Sequence, residues 1–192
     1  MSDDIPLTLT DQDFARRAEK LEWILLDVDG VFTDGTLYYS AEGETLKPFH
    51  VRDGLAVSLA RRAGLKVGLL SGRASEALQR RANELSLDEV ILGHDDKGPA
   101  FTAFLERREV TAERVAYSGD DLLDLPVLRR AGLSFAPADA VAEVRRAADR
   151  VLRAAGGHGA VREIVETLLR ARGQWRELTE RWTEADEERE EG

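Results

Sequence analysis

Short apolar runs alternate along this chain with longer stretches in which apolar side chains recur every third or fourth position. The first periodic stretch, Asp11 to Lys20, predicts a helix. The run WILLDV from Trp23 is apolar at successive positions, as a central parallel strand covered on both faces must be. TLYYSAEGETLKPFHV alternates weakly about Gly43 and predicts a hairpin of Leu37 to Tyr39 against Leu46 to Phe49. Asp53 is placed to cap a helix that runs to Ala63 and closes on Gly64.

Strand and helix units then repeat. KVGLL leads into a helix within SGRASEALQRRANEL, Glu89 to Leu92 into one from Pro99 to Arg108, and RVAYSGD into one from Leu122 to Arg130. Leu133 to Ala136 and Arg150 to Leu152 are followed by helices from Ala140 to Ala148 and from Ala160 to Arg170. This alternation predicts a three-layer α/β sandwich with a mainly parallel sheet and a small β-hairpin insertion. Residues 1–172, N-terminal helix included, read as one domain, and 173–192 as an acidic tail that is helical and then frays.

Composition narrows the function classes. Without cysteine there is neither a disulfide framework nor a thiolate metal site. The opening MSDDIPLTLT lacks a basic start and an apolar run, so the expectation is a soluble cytoplasmic protein with no membrane partner. The net charge of -10 argues against nucleic acid as a partner. Eight acidic residues and three arginines between Arg176 and Glu191 carry half of that charge, so the body of the chain is nearer neutrality. There are only four lysines, which draws notice to Lys97 in HDDKGPA.

Open parallel sheets gather ligands at the carboxyl ends of their strands, where strand order reverses. That rule converges four segments: Asp27 and Asp29 after the first strand, Ser71 to Arg73 after KVGLL, Lys97 before a helix, and Asp120, Asp121 and Asp124 after YSGD. Carboxylates so grouped repel unless a cation or shared proton compensates them. Hard oxygen donors without a cysteine or histidine cluster favour Mg2+, with Asp27, Asp29 and Asp120 as its candidate ligands and Asp121 and Asp124 behind them. A dication beside Lys97 and the Ser71 hydroxyl suits a phosphoryl group, which Gly72 lets approach the backbone closely. Asp27 then has a use as nucleophile and Asp29 as the acid and base that serves the leaving oxygen and the attacking water.

These residues resemble the haloacid dehalogenase superfamily: DVDGVFTDG, Ser71 in LLSGR, Lys97, and SGDDLLDLP match its four motifs in order. From Leu21 to Leu169 the chain is similar to the 3-deoxy-D-manno-octulosonate 8-phosphate phosphatase family, with VRDG at 51–54, DLPVLRRAGLSFAPADA at 124–140 and GGHGAVRE at 156–163. The resemblance implies a Rossmann-like, capless fold and Mg2+-dependent release of phosphate from an eight-carbon sugar acid phosphate, in the route to the lipopolysaccharide inner core. It further implies a homotetramer in which a neighbouring subunit helps close the site, with a small phosphorylated sugar acid as partner; Gly72, Arg73, Arg52 and His158 are the candidate substrate contacts. His158 departs from the family's usual arginine, and imidazole cannot reproduce the bidentate grip of a guanidinium on a carboxylate.

Each residue has a structural alternative. Asp27 and Asp29 are able to cap their own turn, Ser71 and Asp120 the helices that follow them, and Lys97 is able to sit in solvent. Arg52 and Arg73 suit helix-end ion pairs, His158 suits the packing of its loop, and Tyr39 and Phe49 suit a subunit contact or a stiffened hairpin. The competing functions are a phosphatase for a nine-carbon sugar acid 9-phosphate or another small phosphomonoester and, outside enzymes, a receiver-like or interaction module.

Overall fold

In a computed structural model, which describes residues 9–183, six strands form one parallel sheet with helices on both faces. Helix α1 (Asp11–Lys20) is capped by the Thr10 hydroxyl and leads into β1 (Trp23–Leu26). A hairpin of β2 (Tyr38–Ser40) and β3 (Gly43–Leu46) follows, then α2 (Val51–Arg62), β4 (Lys66–Leu70), α3 (Glu76–Glu84) and β5 (Glu89–Ile91). The chain continues through α4 (Lys97–Arg108), β6 (Val115–Ser118), a single 3-10 turn (Leu122–Asp124), α5 (Leu125–Leu128), β7 (Leu133–Ala136), α6 (Ala142–Ala147), β8 (Arg150–Val151) and α7 (Ala160–Ala171). Helix α8 (Trp175–Thr183) closes the described chain.

Strand order is β5-β4-β1-β6-β7-β8, and every pairing is parallel. The chain winds outward from β1 to β5, returns to the middle, and winds outward again from β6 to β8. Order therefore reverses between β1 and β6, and the crevice at their carboxyl ends is where such a sheet takes ligands.

Strand β1 is buried at all four positions because helices cover both faces. Ile24 and Leu26 face a core shared with α1, α2, α3 and α7, whereas Trp23 and Leu25 face a second core built with α4, α5 and α6. Phe135 on β7 meets Phe14 of α1 edge to face at 6.1 Å, which joins the N-terminal helix to the sheet. The guanidinium groups of Arg162 and Arg170 lie 4.8 and 5.1 Å from the ring of Trp175 in α8. The fraying expected of the acidic end lies outside the described residues.

The α/β architecture and hairpin agree with the sequence reading, and several boundaries differ for physical reasons. The second hairpin strand begins at Gly43, with the turn at Ala41 and Glu42, so its register lies earlier than the alternation suggested. Helix α2 starts at Val51 with His50 at its N-cap, so Asp53 sits inside the first turn and is not the cap. Its carboxylate instead accepts the backbone N–H of Arg162, capping α7 from another helix at 2.7 Å. Helix α4 starts at Lys97, two residues before Pro99, which fits proline's tolerance of the first helical turn.

Phe135 is fully buried, so Phe135→Ala is expected to lower unfolding free energy by about 3–5 kcal/mol, measured by urea denaturation. A loss of less than about 1 kcal/mol would contradict this account of the core.

Candidate active site

Each segment enters the site while its strand ladder still holds it. The Asp27 N–H donates to the Ser118 carbonyl at 2.9 Å, one step beyond β1 and β6, and the Ser71 N–H donates to the Ile91 carbonyl at 2.9 Å. After Asp27 the chain makes a wide turn over Val28–Phe32, closed by the Thr33 N–H on the Val28 carbonyl at 2.9 Å. Gly30 holds φ +92 in that turn, and a Cβ there would run into the Asp120 carboxylate. Glycine is needed at residue 30 twice over, for conformation and for room.

Carboxylate oxygens of Asp27, Asp120 and Asp124 lie within 4.8 Å of one another. Lys97 is buried among them. Its Nζ donates to Asp27 Oδ1 at 2.7 Å and to Asp124 Oδ1 at 2.6 Å, so it is no solvated surface lysine. Asp124 also accepts from the Tyr117 hydroxyl at 2.5 Å and from the N–H groups of Asp120 and Asp121 at 3.0 and 3.2 Å. Both its oxygens are therefore engaged, and it works as a brace. Asp120 Oδ1, in contrast, is buried with no hydrogen-bond partner among the described residues.

The charges are unequal here, with three carboxylates to one ammonium. Burial, then repulsion from Asp124, pushes the Asp27 carboxyl up to about 6 against the pull of Lys97. Burial, then repulsion from Asp27 and Asp124, pushes Asp120 up to about 8. Burial alone would push the Lys97 amine down, but Asp27 and Asp124 hold it above the ordinary lysine value. An orphaned buried oxygen, an all-oxygen donor set and surplus negative charge fit a hard dication such as Mg2+, with Asp27 and Asp120 as the residues that would hold it.

Capping roles fall to neighbours. Ser75, not Ser71, caps α3. The Ser71 hydroxyl accepts the Arg73 N–H at 3.2 Å and keeps its own proton to donate. Asp121, not Asp120, caps the following turn, with Asp124 completing the reciprocal pair. Gly72 faces Asp95, to whose Oδ1 a Cβ would come within 3.2 Å.

Asp29 stands apart from the three-carboxylate cluster. Its Oδ1 is ion-paired with Lys47 of the hairpin, and its Oδ2 lies 3.7 Å from Arg73 Nε. The Arg73 guanidinium also donates to the Tyr39 hydroxyl at 2.6 Å. Phe49 packs on Phe32 at 5.3 Å. Arg52 and His158 are not brought to the acidic cluster: they line a separate cleft of about 300 Å³ along α7 with Arg153 and Arg162. His158 donates Nδ1–H to the Gly156 carbonyl at 2.7 Å, which stiffens its own loop.

That loop nonetheless touches the site through its backbone. The Gly157 N–H donates to the Val31 carbonyl at 3.0 Å, and a Cβ at Gly156 would overlap the Gly30 carbonyl. GGHGAVRE and VRDG thus form one clamp, in which Asp53 caps α7 and α7 seats the glycines on the turn that follows Asp27. Sequence reasoning missed this clamp, and it missed Lys47 and Tyr117. The scarcity of lysine was a signal for Lys47, since two of the four lysines are buried in this site.

A family model described as haloacid dehalogenase-like hydrolase matches residues 89–164. Over 159 residues the chain is 44% identical to the 3-deoxy-D-manno-octulosonate 8-phosphate phosphatase of Haemophilus influenzae, covering 83% of this chain and 88% of that protein. This chain belongs to the 3-deoxy-D-manno-octulosonate 8-phosphate phosphatase family. The Escherichia coli K12 member is 41% identical over 162 residues, 84% of this chain and 86% of that protein. A cobalt-bound structure of the Haemophilus influenzae phosphatase superposes with a TM-score of 0.80 over 83% of this chain and 93% of that one, at 44% identity. The Moraxella catarrhalis phosphatase, solved with a magnesium ion, a phosphate ion and a KDO molecule, superposes with a TM-score of 0.83 at 32% identity, over 87% of this chain and 95% of that one.

The raised carboxyls carry a stability signature in this family member. A group whose folded value lies above its unfolded value near 4 contributes stability that is complete below about pH 4 and is lost as pH rises through the folded value. In chelator, the melting temperature is expected to fall as pH rises through about 6 and about 8. Mg2+ should raise it, and by more at the alkaline end, because its ligands must be ionised. Differential scanning fluorimetry across this range, with and without Mg2+, is the check, and Asp120→Asn should flatten the slope. A chelated protein that stabilises with rising pH would contradict the reading.

Proposed function

We propose that the chain hydrolyses 3-deoxy-D-manno-octulosonate 8-phosphate to the free sugar acid and phosphate, a step of lipopolysaccharide synthesis, with Mg2+ held by Asp27 and Asp120. The observation that carries this reading is the buried Lys97 ammonium on Asp27, inside a carboxylate cluster at the sheet's switch point. The Asp27 carboxylate is not explained by capping, since its side chain makes no cap hydrogen bond to the turn that follows it.

Mg2+, when bound, offsets the charge of the carboxylates and of the phosphoryl oxygens, so that one anion is able to approach another. Lys97 has three N–H donors and spends two on Asp27 and Asp124, which leaves one for a phosphoryl oxygen. The Ser71 hydroxyl supplies another donor. Asp27 attacks phosphorus, the bond from phosphorus to the sugar oxygen breaks, and the departing oxygen takes a proton from Asp29. In the second step Asp29 takes a proton from water as that water attacks phosphorus, which frees phosphate and restores Asp27. Asp124 and Tyr117 keep the Lys97 ammonium in place throughout, and Asp121 holds the turn behind them.

Among the described residues no large cap element is inserted beside the site, and the hairpin lies next to it through Lys47. Exposed Leu37, Tyr38, Tyr39 and Leu46 on or beside that hairpin support a homotetramer in which subunit packing completes the enclosure. Among the described residues no helix is long and apolar enough to cross a membrane. Together with a phosphorylated small-molecule substrate, this supports a place in the cytoplasm.

Phosphate release is to be measured with Mg2+ on the eight-carbon sugar acid phosphate, nine-carbon sugar acid 9-phosphates and simple sugar phosphates. The eight-carbon substrate should lead, with turnover lost in chelator and in Asp27→Asn, and reduced about 10²–10⁴-fold in Asp29→Asn. Preference for a nine-carbon substrate would move the assignment to that class, in keeping with His158. Absence of Mg2+-dependent turnover by the folded protein would overturn the enzymatic reading.

A further inference from the structure

Lys47 is the second buried lysine of the site, and the reaction scheme leaves it without a task. It lies just past β3, and only 3% of its side chain is exposed. Its Nζ reaches Asp29 Oδ1 and lies 3.2 Å from Glu44 Oε1. On the other side, Arg73 sits 3.7 Å from Asp29 Oδ2 and 3.4 Å from Glu44 Oε2. Two cations and two carboxylates thus form a neutral ring that ties the hairpin to the exits of β1 and β4.

The accessibility of the pair is unequal. The Asp29 side chain is 20% exposed and is open to a substrate, whereas the Lys47 amine is shut behind it. Lys47 fixes one carboxyl oxygen of Asp29 by direct contact. Among the described residues the other oxygen has only the looser ion-pair neighbour Arg73, and it is left to serve the leaving group.

Resting on the phosphatase reading above, we infer that Lys47 is a positioning residue for proton transfer: it holds the Asp29 carboxyl so that its second oxygen meets the departing sugar oxygen. In that step the bond from Asp27 to phosphorus forms and the bond from phosphorus to the sugar oxygen breaks. The electron pair of the broken bond stays on the sugar oxygen, and the proton comes from Asp29. Lys47 touches neither substrate nor phosphorus. Its effect on the first step therefore depends on how much the leaving group needs a proton, a dependence that a merely structural residue would not produce.

The experiment compares two substrates on the full chain with Mg2+. 3-Deoxy-D-manno-octulosonate 8-phosphate must expel a basic alkoxide, whereas p-nitrophenyl phosphate, or acetyl phosphate if the aryl ring does not fit, expels an anion that leaves unprotonated. Because Asp29 also serves the water of the second step, the readout is the first turnover: Lys47→Met is expected to slow release of the sugar about 10²-fold by rapid quench, while KM and the first-turnover release of the activated leaving group stay within about threefold. Lys47→Arg should recover part of the loss. Asp29→Asn should show the same selectivity in that first turnover and lose the second step on both substrates, and the double variant should be little worse than Asp29→Asn alone, because the two residues act as a unit. If Lys47→Met does not fold, Lys47→Gln carries the same readout. Equal losses on both substrates, no loss on either, or a change in KM alone would overturn the inference. An unmodified chain that hydrolyses neither substrate would instead overturn the phosphatase reading.

Discussion

The Lys97 ammonium, closed between the carboxylates of Asp27 and Asp124, is the contact on which the site's electrostatics rest. Burying two carboxylates with a third beside them is strongly unfavourable, and one ammonium offsets only part of that charge. The remainder is visible in Asp27 and Asp120, whose carboxyls are pushed up to about 6 and about 8. A fold that keeps such a cluster loses stability in order to hold ionisable oxygens close together, a loss that makes sense where a dication and a phosphoryl group are to meet. The brace around Lys97 follows from the same need, because an ammonium free to swing out would leave its partners uncompensated. Asp124 prevents this by spending both its oxygens on Lys97, Tyr117 and two backbone N–H groups.

Around this centre the backbone is held by contacts that tolerate no side chain. The turn after Asp27 lies under the Gly156 and Gly157 backbone on one side and against Asp120 on the other, and Gly30 is the point where both meet. Asp53 reaches this turn only indirectly, by capping α7 and fixing where its glycines sit. The hairpin supplies the remaining wall, attached through Lys47 and Glu44 to Asp29 and Arg73. Catalytic and positioning groups therefore come from elements far apart in the chain, which the doubly wound sheet brings to one edge.

Much of this was legible in the sequence. Period and apolar runs encode the alternation of strands and helices, and the switch-point rule gathers Asp27, Ser71, Lys97 and Asp120 at one end of the sheet. What escaped were relations that a linear pattern does not encode. Asp53 looks like an N-cap because it stands at the start of a helix, and nothing nearby shows that the helix it caps is α7. Lys47 was hidden by the hairpin register, since starting the second strand at Gly43 is what leaves Lys47 just past its end and turned toward Asp29. Arg52 of α2 and His158 stand in motifs that pointed to the site, while both line the cleft on α7 and it is the glycines beside His158 that touch the centre.

The reaction requires a carboxylate oxygen of Asp27 to accept the phosphoryl group. Turnover with the sugar acid phosphate, quenched in acid and reduced with borohydride, would convert an aspartyl phosphate to homoserine, which peptide mass spectrometry locates. The account predicts homoserine at residue 27 alone, formed only with substrate and Mg2+. Steady turnover with no modification at residue 27, or with the modification at Asp29 or Asp120, would contradict it.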